Sequence, residues 1–403
     1  DWVMRVVTAA AMLCLFAACS AAPKRTPAPV AGPEPALSPL DAARAKNQHW
    51  LDPTMLNAFP PAQGPDYRPP LRLALLLPQT GSLATAGVAV RDGVLAAYYA
   101  ETRSKPGIRV YDTQSTAAGA GAAYLKAVNE GAQMIIGPIG KDETAAVAAQ
   151  LDGIPLLALN AVDAPNNRYL LTFALSPERE GELIAKRLLS RKLLKAAVFI
   201  ESGDGNKRSL NAFESAYQKG GGILVANIAA PKVEKATVSA DTVVKPINPV
   251  LPDTLTQATA MVFMMSGQTA KPIRAALMLN GSGEKPVFAT SEIAGSVDPA
   301  ITMALDGIEF VQMPWLLGQS NALGISAAQL AKLPSARGGG TRLNAFGIDA
   351  WLITTHLNAW LADPNGAFNG ATGSLHLEPN GRIERQLPWM VYRGGLPQAA
   401  DGQ

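Results

Sequence analysis

Residues 73–99 read LALLLPQTGSLATAGVAVRDGVLAAYY. An apolar run of strand length stops at Pro78, turns through Gly81, and continues as a segment of helix length. A buried strand followed by a loop and a helix is the opening unit of a parallel α/β sheet. In such sheets small molecules sit beyond the carboxyl ends of the strands, where Gln79, Thr80, Gly81 and Ser82 fall.

The same alternation continues outward. LRLALLL leads to a helix over 85–103, IRVYDT to one over 119–130, AQMIIGP to one over 141–151, and IPLLALN is a further strand. A second series follows: a helix over 177–191, KAAVFIE, a helix over 209–219, GILVANI, then AMVFMM, a helix over 269–279 and PVFATS. Glycine and proline punctuate the junctions. Two tandem α/β series predict two lobes. The stretch 231–255, rich in proline and valine, fits neither element type. Towards the end, GIEFVQMPWLL reads as a strand and turn, RLNAFGIDAWLITTHLNAWLAD as an amphipathic helix, and GSLHLEPNGRIERQLPWMVYRGG as a hairpin around EPNG. Trp351, Trp360 and Trp389 are expected in the core.

The 403 residues are 48% apolar and 17% charged, enough for a large core. A net charge of +3 and the lack of basic runs with interleaved aromatics argue against nucleic acid. Both cysteines, Cys14 and Cys19, precede the α/β region, so that region has no disulfide, thiol nucleophile or cysteine metal site. His49, His356 and His376 lack metal-ligand spacing. No nucleophile elbow, phosphate loop or H-E-x-x-H motif occurs. No cofactor, metal or catalytic activity is expected.

The N-terminal stretch MRVVTAAAMLCLFAACSAAPKRTPAP (4–29) has Arg5, then an apolar run too short to span a bilayer, then small residues before Cys19. It reads as an export signal. LFAAC resembles the lipobox of bacterial lipoproteins, which implies a lipid on Cys19. Phe16 stands where that family prefers leucine, and cleavage near Ala21 or Ala22 is the rival reading. Ser20 favours the outer membrane, since inner-membrane retention usually needs aspartate there. Residues 20–70, with six prolines in 20–40 and the later PPAQGPDYRPP, read as a stiff tether.

Several pieces together carry a resemblance over 71–396: LLLPQTGSLATAGVAVRDGVLAA, MIIGPIGKDETAAVAA, IPLLALN, KPVFATSEIAG, DGIEFVQMPWL, FGIDAWLI and FNGATGSLHLEPNGR. They resemble the type I periplasmic binding fold of leucine-binding-protein-like domains. The resemblance implies an α/β fold of two lobes, each a parallel sheet flanked by helices, with three interlobe crossovers near Ala174, Glu292 and Ala371. The implied order is a signal (1–19), a tether (20–70), lobe 1 (71–174), lobe 2 (175–292), lobe 1 again (293–370), lobe 2 again (371–396) and a tail (397–403).

Two families share that fold, solute-binding proteins of amino-acid importers and lipoprotein activators of penicillin-binding proteins. FALSPEREGE, MPWLL, FGIDAW and GATGSLHLEPNGRIERQLPW look more like the activators. In the importers hydroxyls and amides grip a ligand carboxylate. Here Lys141 and Asp163 stand at the hydroxyl positions, and Asp204 replaces the tyrosine before Gly205. Glu292 matches the carboxylate that pairs with a ligand ammonium, or is a solvated loop charge. Ser82, Gly137 and Asn160 lie on loops that face the cleft in this fold, or serve as turn and cap residues. The implied function is a lipid-anchored periplasmic regulator of a bifunctional penicillin-binding protein in peptidoglycan synthesis, with a small-molecule ligand in the cleft as a second partner. The alternative is substrate capture for an amino-acid importer.

Overall fold

The structure is a computed structural model that describes residues 53–163, 167–230, 253–295, 298–363 and 365–400. Cys14, Cys19, the signal and the first proline run lie outside the described residues, as does 231–252 of the unplaced stretch.

The first series folds as β1 (Arg72–Leu77), α1 (Ala84–Ala100), β2 (Gly107–Asp112), α2 (Ala117–Asn129), β3 (Met134–Ile136), α3 (Lys141–Ala148), β4 (Leu156–Ala158) and β5 (Leu170–Phe173). The second folds as α4 (Pro177–Ser190), β6 (Lys195–Glu201), α5 (Asp204–Lys219), β7 (Ile223–Ala230), β8 (Ala260–Met264), α6 (Gly267–Leu279), β9 (Val287–Ala289) and β10 (Ile308–Val311). The chain ends with α7 (Gly340–Ala362), β11 (Ala367–Asn369), β12 (Ser374–Leu377), β13 (Arg382–Gln386), β14 (Trp389–Arg393) and β15 (Leu396–Ala399). β5 is not marked in the sequence, because its four residues are too short a run to stand out beside the neighbouring helix signal.

One sheet has eight strands in the order β11-β12-β13-β5-β4-β3-β1-β2; the other has seven, β15-β14-β10-β9-β8-β6-β7. Both are mixed rather than wholly parallel. β11, β12 and β13 pair antiparallel, and so do β10, β14 and β15, while the remaining pairs are parallel. The central strands are buried on both faces, as side-chain alternation requires of a covered sheet. Leu73, Leu75 and Leu77 of β1 join the large core between the sheets, and Ala74 and Leu76 join a smaller core beneath α2. Val198 of β6 likewise faces the large core, and Ala197 and Phe199 face a separate one.

Sheet membership moves two of the expected crossovers. The chain leaves the first sheet after Phe173, returns after Val311, and leaves again after Gln386. Glu292 and Ala371 are therefore not crossing points. β10 extends the second sheet by pairing with β9, because the apolar run IEFV continues the second series. The EPNG hairpin closes within the first sheet, where the Glu378 N–H donates to Arg382 O. β15 also carries the fold into the segment read as a tail.

The latter part of the expected tether is not free. Residues 53–70 pack on the body. Met55, Leu56 and Phe59 are buried in the large core beside Leu357, Trp360 and Leu361 of α7. The Arg68 N–H donates to Thr355 O at 2.8 Å, its guanidinium donates to Pro60 O and Phe59 O, and the Tyr67 hydroxyl donates to Ser104 O. Tyr67 is fully buried, with Arg103 stacked 3.8 Å from its ring centroid. Residues 53–70 are thus a strap, because their few apolar side chains find a groove on α7.

Nor is α7 amphipathic. Every residue from Asn344 to Thr355 is buried, Trp351 among them. One side meets α1 through paired glycines, and another takes the strap. A helix that is apolar nearly all round is a central one. Within the second lobe, Arg187 of α4 and Arg191, which caps its C-terminus, both bind Glu309 of β10, at 2.9 and 2.6 Å, which ties the helix to the second sheet.

Candidate functional site

Two adjoining cavities lie where elements of the two sheets meet. The larger holds about 790 Å³ and is walled by the loop 159–163, the start of α4 and β13. The smaller holds about 200 Å³ and is lined by Thr290, Ser291 and Glu292 after β9, by Asn206 of α5 and by Arg342 of α7. Leu175, Ser176 and Arg385 belong to both walls.

The seven residues expected in the cleft divide. Asn160 and Asp163 line the larger cavity and Glu292 the smaller. Asn160 is spent on its own loop, since its amide donates to Ile139 O and its carbonyl accepts from the Ala161 N–H, both at 2.8 Å. Asp163 is exposed. Ser82, Gly137, Lys141 and Asp204 line neither cavity. Ser82 is exposed on a loop tied to the end of β2, where Asp112 accepts from Gln79 and Thr80. Gly137 is buried at φ +101°, and a Cβ there would meet Leu76 O at 2.0 Å, so its role is close backbone approach. Lys141 and Asp204 are exposed first residues of α3 and α5.

Charged residues that the reading passed over fill the larger cavity's wall. Glu178 takes a two-pronged bond from Arg208 at 2.6 and 2.9 Å, which, with Ser176, holds its carboxyl at about 2. Arg179 of α4 reaches Glu182 at 3.1 Å and Glu384 of β13 at 3.5 Å, and Arg382 binds Glu384 at 2.6 Å. The Arg179–Glu384 contact links an element of each lobe. In the smaller cavity Glu180 accepts from both the N–H and the hydroxyl of Ser291, each at 2.7 Å, and Arg342 donates to that hydroxyl at 3.1 Å. Glu292 remains accessible to solvent yet is flanked by protein. That enclosure, then Glu180 and Glu201, pushes its carboxyl above the ordinary value against a bond from Asn206.

Such walls suit a small charged ligand, and neither lining includes a histidine or cysteine. The signal for them was in the sequence. SPERE at 176–180 puts charges on the first turn of a helix, and GRIERQL at 381–387 puts Arg385 on the apolar face of an alternating strand, between Ile383 and Leu387.

Below the cavities, Asp349 of α7 pins the loop before β12. Its carboxylate accepts from the Ala371 N–H at 2.6 Å and from the Thr372 N–H and hydroxyl at 2.8 and 2.6 Å. Asp349 is fully buried, and this burial pushes its carboxyl up to about 6.

Against known proteins, the family model described as "LppC putative lipoprotein" matches residues 66–395. The penicillin-binding protein activator LpoA of Glaesserella parasuis is 26% identical over 337 residues, 80% of this chain and 54% of that protein. The LpoA of Yersinia pseudotuberculosis is 28% identical over 327 residues, 72% of this chain and 49% of that one. The chain thus spans about half the length of the curated relatives it matches. Among solved structures, the C-domain of Haemophilus influenzae LpoA, a regulator of PBP1A, superposes with a TM-score of 0.65 at 24% identity, covering 82% of this chain and 99% of that domain. A "putative branched-chain amino acid ABC transporter" from Chromobacterium violaceum gives 0.60 at 27% identity, with coverage of 80% and 99%. The two-lobed α/β fold is therefore that of type I periplasmic binding proteins. With its family model matched over residues 66–395, the chain belongs to the LppC lipoprotein family.

Proposed function

We propose that this protein regulates a penicillin-binding protein in peptidoglycan synthesis, as a non-catalytic, lipid-anchored protein facing the periplasm. The kinship to the LpoA activators over most of the chain carries the reading. The cleft supports it. Where importer receptors keep hydroxyls free for a ligand carboxylate, Glu178, Arg179, Arg208, Arg382 and Glu384 on the larger cavity's wall are taken up by ion pairs with one another. A regulator needs a surface and reach, and a proline-rich sequence such as 20–40 would give about 3.1 Å per residue if extended as polyproline II. Purified protein is expected to capture the host's bifunctional penicillin-binding protein at micromolar or better affinity. Failure to capture any, with micromolar binding of leucine, isoleucine or valine, would make importer receptor the better reading. That second reading draws on the 27% identity to the Chromobacterium structure and on the 790 Å³ cavity.

Cys19 is proposed as the lipid attachment point, with Ser20 favouring the outer membrane. Cys19→Ala should move the protein from the membrane fraction to the soluble one, since a short apolar signal cannot hold it as a spanning helix. Mass spectrometry showing a mature chain that begins at Ala21 or beyond without lipid would refute the anchor.

A further inference from the structure

Arg385 is the charged group least accounted for by its neighbours. Its residue is 4% exposed, yet among the described residues its one hydrogen bond runs to Thr372 O at a long 3.4 Å. Among the described residues no carboxylate lies within ion-pair distance of it. Those around it are already engaged: Glu180 by Ser291, Asp349 by Ala371 and Thr372, Glu384 by Arg382 and Arg179. Burial pulls the pKa of Arg385 below its ordinary value, but a guanidinium does not escape by losing its proton. An enclosed cation with most of its five donors unused is costly unless something anionic meets it. Arg385 lines both cavities. Beside it in the smaller one, the Thr290 hydroxyl is buried and has no hydrogen-bond partner. Arg342 adds a second guanidinium, held by the Ser291 hydroxyl.

We propose that Arg385 anchors a carboxylate-binding site at the wall shared by the two cavities, completed by Arg342 and the hydroxyl of Thr290. The planar fork of arginine matches a carboxylate in two-pronged fashion, which a lysine would not. Glu292 and Asn206 stand in the same small cavity and suit an ammonium or amide on the same ligand. The ligand class is therefore a small molecule with a carboxylate beside a nitrogen, either a free amino acid or the C-terminus of a short peptide. The site stands whether or not the synthase-regulator reading holds.

The test uses the full protein with acetate, glycine, L-alanine, D-alanine and glycylglycine, the last four each set against its C-terminal amide, read by thermal shift and calorimetry. At least one free acid should raise the melting temperature where its amide does not. Arg385→Gln should weaken that acid's binding at least tenfold, and Arg342→Gln by a smaller factor. Binding of glycylglycine but of no amino acid identifies a peptide terminus, and the reverse identifies a free amino acid. Arg385→Met supplies an independent readout. Without ligand its melting temperature should rise, because a functional cation destabilises the empty fold. Acids and amides indistinguishable across the panel, undiminished binding in Arg385→Gln, or a lower melting temperature for ligand-free Arg385→Met would each overturn the proposal.

Discussion

Gly347→Val should leave the protein unable to reach its native state. Helices α1 and α7 cross with no side chain between them. A Cβ at Gly347 would lie 2.1 Å from Val90 O and 2.8 Å from Val94 N, and one at Gly93 would lie 2.1 Å from Asn344 O. Backbone stands on both sides of the contact, so nothing flexible can yield. Even Gly347→Ala should cost roughly 3 kcal/mol by forcing the helices apart. That sign is opposite to the gain of about 1 kcal/mol that alanine gives over glycine in an open helix. Gly339, with nothing within 4 Å of its Cβ position and a negative φ, is the control. Gly339→Ala should change stability by less than about 0.5 kcal/mol. Urea unfolding and soluble yield measure all three. A well-folded Gly347→Val protein would show that the crossing is looser than described.

The second large effect is at Asp349. Asp349→Asn exchanges one accepting oxygen for an amide that meets N–H or O–H donors from Ala371 and Thr372. With the site sealed from water, the loss should be about 3 kcal/mol or more. Its pH dependence has a definite sign. Burial raises this carboxyl to about 6 from its ordinary 3.8, so the native state keeps the proton to higher pH than the unfolded chain does. The stability linked to that proton is fully present below about pH 4 and is lost as pH rises through about 6. At about 1.4 kcal/mol per pH unit, this window corresponds to roughly 3 kcal/mol at most. Asparagine does not titrate. The stability gap between wild type and Asp349→Asn should therefore be widest near pH 4 and narrow towards pH 7. Urea titrations across that range measure it, and a gap that widens with pH would reverse the assignment.

These positions show what a sequence makes legible and what it hides. The strands of the two series were readable because a covered strand is apolar on both faces, as in LALLL and AMVFMM. The strap was not, because the stretch 53–70 differs from a free tether only in having a groove on α7 to receive Met55, Leu56, Phe59 and Tyr67, and grooves are tertiary facts. The later crossovers were misplaced for a related reason. Whether β10 joins one sheet or the other depends on pairing with β9, which leaves no local mark. In the cleft, Asn160, Asp163 and Glu292 were placed on cavity walls by resemblance, but Ser82, Gly137, Lys141 and Asp204 lie outside them. The residues that do shape the wall, Arg179, Arg208, Arg382, Glu384 and Arg385, stand in charged runs that look like solvated surface until the lobes face each other. Only Arg385, a charge on the apolar side of an alternating strand, broke a local rule in the sequence itself.

A reconstituted synthase assay tests the central claim most directly. The host's bifunctional penicillin-binding protein would be supplied with lipid-linked precursor, and its glycan polymerisation and cross-linking followed with and without stoichiometric amounts of this protein. The account predicts a severalfold change in one of those rates that saturates with the protein's concentration. Unchanged rates for every such synthase of the host, alongside micromolar binding of a branched-chain amino acid, would contradict it.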